Sequence, residues 1–501
     1  MEKRTFLAIA LSMLILFAWS ALLPKPKPHS PSIPTTSEKS EKVVIAPVVP
    51  ESAQSAAALI IEQEKQEIAF IETQAAIKEV VFKDYQSSRF RLERGFFLNE
   101  PNLNFARNNS SSPDKIVFSA SDGAKRVVKT FTFHKYNYTI ELDIENQNIS
   151  DQNITVNPQL SLGVLNFSGD QNQARFQDIT VGQADKALHP SAHKDSSFPN
   201  VQFLALRDRY FCGIIEPMGN NNYTGFIKKI SPQESEVGLI AAQITLLPGQ
   251  KTNQRFRIYL GPQDLQIIKQ AKLEWSAVMY YGTFDFIAHL LLQLIEFIYR
   301  LVHNWGLAII VLSVLIYFML YPLSIKQMRS MKEMQALQPR IEELKKAHKD
   351  NPQKLNKEIM ELYREHKVNP LGGCLPMILQ IPIFFALYQA LIRSIALKGA
   401  RFLWIKDLSK PDSLFSLPAS FPVKEINLLP ILMMLIMLVQ QKITSRNLAG
   451  SGSSEQQKLM LILMPVMFLF IFYAMPAGLV LYWLVNSILM LVYQFKMNRQ
   501  E

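Results

Sequence analysis

The stretch from Leu459 to Phe495 carries no Asp, Glu, Lys or Arg and is interrupted once, at Pro476-Ala477-Gly478. As one helix it would be on the order of 55 Å long, against a hydrocarbon core of about 30 Å. The segment therefore crosses a membrane, turns at Pro-Ala-Gly and crosses back. A chain with such a pair is polytopic, and lipid is the solvent for much of its fold. In lipid every backbone N–H and C=O must be satisfied internally, so the crossing elements are helices.

At 48% hydrophobic and 19% charged, the 501 residues are too polar for a membrane bundle alone. Apolar residues concentrate near the start and in the last part of the chain, with a long stretch of soluble character between. The net charge of +11 resides largely in Lys and Arg placed beside apolar runs. That placement suits topology control and anionic lipid, and no nucleic-acid partner is expected. Cys212 and Cys374 fall in different compartments of the topology below, so neither a disulfide nor a metal site is expected.

The first apolar run, Phe6 to Leu23, follows Lys3 and Arg4. Its length, and the poor small-residue pattern at Ser20-Ala21-Leu22-Leu23-Pro24, favour an uncleaved anchor over a signal peptide. Further spans are predicted at Gly306–Leu323, Leu371–Ile392, Ile426–Gln441, Leu459–Met475 and Ala477–Phe495, six with the anchor. The segment between the second and third spans holds Lys326, Arg329, Lys332, Arg340, Lys345, Lys346, Lys349, Lys354, Lys357, Arg364 and Lys367, which makes it cytoplasmic. Both termini are then cytoplasmic and the large soluble domain lies outside. The basic loop 396–425, placed outside, runs against this assignment.

Residues 24–55 are proline-rich and read as an extended linker without a core. From 56 to 275 apolar and polar residues alternate between turn residues, which predicts a β-sandwich; Val127–Ile144 reads as a hairpin turning near His134–Asn137. Residues 283–303 are amphipathic, fitting a helix in the outer interface or one packed on the soluble domain. In 326–370, Met328, Met331, Met334, Leu337, Ile341 and Leu344 recur at helical spacing, and after Asn351-Pro352 the pattern resumes at Leu355, Ile359, Leu362 and Tyr363. Two antiparallel helices standing off the membrane are expected, with the methionines as their seam or as an adaptable contact surface.

A series of motifs then falls into order. Asn304-Trp305-Gly306, Tyr321-Pro322-Leu323, Leu337-Gln338-Pro339, Lys367-Val368-Asn369-Pro370-Leu371-Gly372-Gly373-Cys374, Gln380-Ile381-Pro382-Ile383-Phe384, Met464-Pro465-Val466 and Pro476-Ala477-Gly478-Leu479-Val480-Leu481-Tyr482-Trp483 together resemble the YidC/Oxa membrane-protein insertases over about 283–497. The anchor and large β domain are similar to the Gram-negative YidC type. The resemblance implies a bacterial inner-membrane protein whose five-span insertase core, 304–497, follows the anchor at 1–23. Its implied work is to insert and fold membrane proteins, alone or with the Sec translocon, through a hydrophilic groove open to the cytoplasm and to lipid. Nascent membrane proteins are its implied partners, with the ribosome and signal recognition machinery as further candidates.

No P-loop, metal cluster or catalytic triad is visible, so no cofactor and no hydrolysis is expected, and the chain is not an enzyme. The barrier to insertion is the transfer of a polar segment across hydrocarbon, at several kcal/mol per unpaired polar group. Polar residues inside the spans are the ones that could lower it: Ser313, Tyr317, Gln380, Gln440 and Asn486. The resemblance moves Ser313, Tyr317 and Gln380 toward the groove. It also implies an apolar slide for client helices along the third and fifth spans, here Phe384, Met467, Phe468, Ile471 and Phe472, with Trp483 of the sixth span beside them. The family's groove arginine usually stands four residues before the Tyr-Pro; counting back from Tyr321 gives Tyr317 instead. A neutral groove follows, unless Arg393, otherwise expected to snorkel at the outer interface, substitutes for it. A secondary transporter would carry intramembrane carboxylates, of which the core spans have none, and a structural scaffold would not need the groove polar residues.

Overall fold

The computed structural model describes residues 59–498, less 101, 109, 113, 135–136, 169–173, 185, 220–221, 349–350, 367, 369–374, 417–424 and 447–454. The expected anchor 1–23, the linker 24–55 and Cys374 lie outside the described residues.

Residues 59–262 form stacked antiparallel sheets. The largest has nine strands in the order Ala187–Leu188, Asp178–Gly182, Phe203–Arg207, Phe211–Met218, Lys251–Pro262, Thr139–Asn148, Lys125–Phe133, Lys115–Ser121 and Ala106–Arg107. A four-stranded meander spans 59–95, and a second four-stranded sheet joins Gln159–Asn166, Glu234–Ala241, Tyr223–Ser231 and Ser196–Phe198. The expected hairpin is present, with Phe133 opposite Ile140. Strict alternation of buried and half-exposed residues along Thr139–Asn148 shows one face turned to the core. The strand ending at Pro262 keeps its pairing through Gly261 and Pro262, opposite Cys212 and Phe211.

Nine helices are described. They are α1 (Leu265–Ala271), α2 (Asp285–Val302), α3 (Trp305–Ala336), α4 (Gln338–Ala347), α5 (Pro352–Glu365), α6 (Leu375–Arg393), α7 (Leu428–Arg446), α8 (Glu455–Tyr473) and α9 (Ala477–Asn498). Within α3 and α9, Trp305–Lys326 and Ala477–Lys496 are long and apolar enough to cross a membrane; Leu379–Arg393, Leu428–Ile443 and Ile462–Tyr473 are shorter apolar stretches. Proline ends fewer helices than its chemistry suggests. Pro322, Pro382 and Pro465 all lie inside helices, and α3 continues well past Tyr321-Pro322. In a bundle, neighbouring groups re-satisfy the backbone that a proline frees. Pro476 stands between two helices, α8 and α9.

α2 packs against α3 and α6 through Ala288, Leu291, Ile295 and Ile298. The hairpin helices share a small core of their own: Leu337, Ile341 and Val368 are buried, with Met334, Ile359, Leu362 and Tyr363 against them.

The β domain is bolted to the end of α6 and the loop after it. Arg209 donates to the carbonyls of Ile392, at 2.8 Å, and Ser409, at 2.7 Å. Tyr210 and Ser409 share a hydroxyl hydrogen bond at 3.0 Å. Asp178 Oδ2 accepts from both Arg207 and Arg393, each at 2.9 Å. Arg393 thus neither snorkels freely nor enters the bundle; it pairs with a sheet residue. The basic character of loop 396–425 is answered locally in the same way: Lys398 bonds Ser88 and stands over the Tyr210 ring, and Lys410 lies 3.6 Å from Asp407.

Inside the β domain, Lys129 is fully buried and donates to the carbonyls of Ala75 and Phe96, each at 2.5 Å. Burial pushes its pKa down to about 7. Unfolded, it titrates near 10.4, so between about pH 7 and 10.4 the unfolded chain holds a proton that the folded chain has released. Stability attributable to Lys129 therefore rises with pH across that window. The melting temperature of wild type should climb relative to that of Lys129→Met between pH 7 and 9.5. Parallel profiles would show that Lys129 stays charged in its cavity.

Candidate functional site

The helices bring together a polar seam along one face of α9. Tyr482, Asn486 and Tyr493 follow at spacings of four and seven, so they share a side. Gln380 from α6 donates its amide to the Tyr482 hydroxyl at 2.5 Å. Tyr317 from α3 donates to the Leu489 carbonyl at 3.4 Å, and its ring continues into an aromatic run, Tyr317–Tyr321–Tyr493, with centroids 6.1 and 5.4 Å apart. Asn486 donates to the Tyr482 carbonyl at 2.8 Å. From α7, Gln440 donates to the Ser487 carbonyl at 2.6 Å. Two of the expected groove residues, Tyr317 and Gln380, thus meet the same helix. Ser313 is different: it is fully buried and donates to Ile309 of its own helix at 2.7 Å. Sequence reasoning passed over Tyr482 and Tyr493, though their spacing from Asn486 was there to read.

The two ends of the seam are unlike. Toward the end where α3 runs on into the basic hairpin, Oε1 of Gln441 and of Gln494 are buried without a hydrogen-bond partner among the described residues. Buried acceptors of this kind call for water. At the other end the loop after α6 folds over the bundle. The Ala477 and Gly478 N–H groups donate to Lys410 and Leu408 carbonyls at 2.7 and 2.9 Å. Asp412 caps α7 by accepting from the Leu429 N–H at 2.9 Å, and Asn427 donates to the Tyr473 carbonyl at 2.7 Å. Gly306 is required there, because a Cβ would stand 2.1 Å from the Phe402 ring.

Beside the seam lies an aromatic cluster. Phe384 of α6 meets Trp483 of α9 edge-on at 5.5 Å and Phe472 of α8 at 6.0 Å; Phe468 and Phe472 lie 5.9 and 5.2 Å from Trp483. Of the six expected slide residues, Phe384, Phe468, Phe472 and Trp483 meet in this cluster, and burial differs along the set. Phe472 is buried, Phe384, Met467, Phe468 and Trp483 are half-buried, and Ile471 is exposed. Among the described large apolar side chains of α8 the most exposed is Phe470, at 74%, on the far side of the helix from Phe468.

No group of His, Cys, Asp or Glu among the described residues could hold a metal ion. The arrangement is that of a membrane helix bundle with a polar seam along one internal helix face and a soluble β domain fastened to one end. Its family is given by comparison with known proteins. The model of the 60Kd inner membrane protein family matches residues 297–501, and that of the YidC periplasmic domain matches 89–294. The membrane protein insertase YidC of Geotalea daltonii is 31% identical over 100% of this chain and 99% of its own length. That of Pelobacter propionicus is 33% identical over the same shares. A crystal structure of an active YidC insertase with its first transmembrane domain resolved covers 88% of this chain and 93% of its own, at 21% identity and a TM-score of 0.42. The chain belongs to the YidC family of membrane protein insertases. That is a family of multi-pass inner-membrane proteins and not of catalytic enzymes.

The Gln380–Tyr482 bond joins two helices in an apolar setting, where such bonds contribute about 0.5–2 kcal/mol. Gln380→Leu and Tyr482→Phe should each lower the melting temperature of the solubilised protein. The double variant should lose less than the sum, since the second change removes a hydroxyl already deprived of its donor. Strict additivity in thermal unfolding would mean that the two side chains do not pair.

Proposed function

We propose that this chain inserts and folds inner-membrane proteins by offering a neutral polar groove to the translocated segment of a client, alone or beside the Sec translocon. The observation that carries the reading is the seam on α9, hydrogen-bonded to α3 and α6, with the buried, unpaired Oε1 atoms of Gln441 and Gln494 toward the hairpin end. A client segment crossing hydrocarbon could exchange water there for hydroxyl and amide partners, which removes the several kcal/mol that each bare polar group would cost. Tyr317 gives the groove a hydroxyl where an arginine would give a charge. Arg393, engaged with Asp178, supports no alternative cation, so the groove is formed by Tyr317, Gln380, Tyr482 and Asn486, with Ser313 packed behind.

In this reading six spans put both termini in the cytoplasm and the β domain in the periplasm, with residues 1–23 as anchor and 24–55 as tether. The loop after α6 closes the periplasmic side. The hairpin 326–370 meets clients arriving from the ribosome and signal recognition machinery. The client helix then leaves along the half-buried edge formed by Phe384, Met467, Phe468, Ile471 and Trp483, with Phe472 supporting it from below.

Two experiments test this. Two model clients that differ only in acidic residues of the translocated segment are inserted by wild type and Tyr317→Arg in proteoliposomes. The variant should improve the acidic client and leave the neutral one unchanged; an equal effect on both would remove Tyr317 from the groove. Separately, photo-crosslinkers at Phe468 or Ile471 should trap a nascent single-span client, and one at Phe470 should trap lipid alone. Client capture at Phe470 would put the exit on the wrong face of α8.

A further inference from the structure

A cavity of about 390 Å³ opens between α1, the 3-10 turn at 273–278 and α2, within the size range of small-ligand sites. It lies well away from the α9 seam, and Lys269, Ser276, Asp285, His289, Gln293 and His189 line it. The charges are of both signs. Lys269 has no ion-pair partner among the described residues. Asp285 uses Oδ1 to accept from the Tyr281 N–H at 2.8 Å and sets the same oxygen 3.6 Å from His289, while Oδ2 makes no hydrogen bond among the described residues.

The histidines are held in fixed orientations. His289 Nε2 donates to the Met279 carbonyl at 2.9 Å. His189 stacks flat on Tyr280, centroids 3.9 Å apart, and its Nδ1 meets the Thr180 hydroxyl at 3.2 Å, which leaves Nε2 for a ligand. A site with an unpaired ammonium, an open carboxylate oxygen and fixed imidazole and hydroxyl groups suits a compact ligand carrying both charges.

α2 shows where such a ligand comes from. Its core face is Ala288, Leu291, Ile295 and Ile298. A second face is an exposed apolar stripe, Phe286 at 81%, Leu290 at 55%, Phe297 at 59% and Leu301 at 66%. Asp285, His289 and Gln293 lie to one side of that stripe, about 130°, 90° and 50° from its middle around the helix axis. Leu273, at the start of the 3-10 turn, is 64% exposed. Apolar side chains flanking a mixed-charge cavity match a molecule with a zwitterionic head and hydrocarbon tails.

We propose that this cavity binds the headgroup of a zwitterionic phospholipid bearing a primary ammonium: the phosphodiester at Lys269, Ser276 and His189, the ammonium at Asp285 Oδ2, the acyl chains along the stripe of α2. The proposal rests on the reading of α2 as a helix at the outer interface of an insertase.

The full-length protein in detergent is titrated with phospholipids of identical acyl chains and ethanolamine, choline or glycerol headgroups, and with water-soluble glycerophosphoethanolamine, and bound ligand is read by native mass spectrometry. The ethanolamine lipid should be retained best. Lys269→Glu should weaken it by about tenfold, the size of one lost charge-assisted contact, and Asp285→Asn should shift preference to the anionic glycerol lipid. Melting temperatures of both variants verify folding. Equal retention of the three lipids, or no change in Lys269→Glu, would overturn the site. Binding of the soluble headgroup as tight as that of the whole lipid would make it a site for a soluble phosphodiester and overturn the lipid assignment. Client insertion by wild type is measured in parallel: its failure alone would sink the insertase reading and leave lipid retention standing.

Discussion

Everything in the helical half of this protein follows from the cost of leaving a polar group bare in hydrocarbon. The backbone answers that cost by forming helices, even through Pro322, Pro382 and Pro465. The side chains answer it by pairing across helices: Gln380 with Tyr482, Tyr317 with the Leu489 carbonyl, Gln440 with the Ser487 carbonyl. One helix, α9, receives all three. It therefore holds α3, α6 and α7 in register and also concentrates polarity on its own surface. A bundle stabilised in this way has a polar interior because its neighbours need one, and the proposed function has a client segment use the same groups.

The second organising interaction is the joint between sheet and bundle. A buried guanidinium is costly unless its donors find partners; the Nε of Arg207 is buried with no hydrogen-bond partner among the described residues, and its two terminal nitrogens carry the joint. Here Arg207 also donates to the carbonyls of Val278 and Tyr280, at 2.8 and 2.6 Å, so the cluster ties the nine-stranded sheet both to α6 and to the segment leading into α2. Arg209 adds two carbonyls on the α6 side. The start of α2 and the end of α6 are thus placed by one cluster of charges. The β domain fixes the end of the helix that carries Phe384 and Gln380.

Much of the site was readable in advance, and the parts that were not have specific causes. Tyr317 and Gln380 stood out because each is a polar residue within an apolar run, a local property. Ser313 had the same signature, yet its hydroxyl is spent on its own helix, an option open to serine at i−4 and to neither glutamine nor a tyrosine hydroxyl. Phe472 and Ile471 are neighbours in an aromatic-rich stretch, and nothing local distinguishes the buried one from the exposed one. Their difference is set by Trp483 and Phe384, which come from other helices. The seam residues Tyr482 and Tyr493 were hidden by their aromatic rings, which count as apolar in a hydropathy reading even where the hydroxyl does the bonding.

Sequence alone determined the solvent, the element types and the family, because hydropathy, periodicity and motif spacing are local quantities that survive without coordinates. It fixed that Leu459–Phe495 turns back at Pro-Ala-Gly, that 127–144 is a hairpin, and that no arginine stands at 317. Only tertiary structure decided where the long polar side chains go. Arg393 could have reached lipid headgroups, the groove or the sheet, and its partner Asp178 lies 215 residues away in the chain. A flexible charged side chain selects among partners by geometry and desolvation, and both exist only once the sheet and the bundle have met.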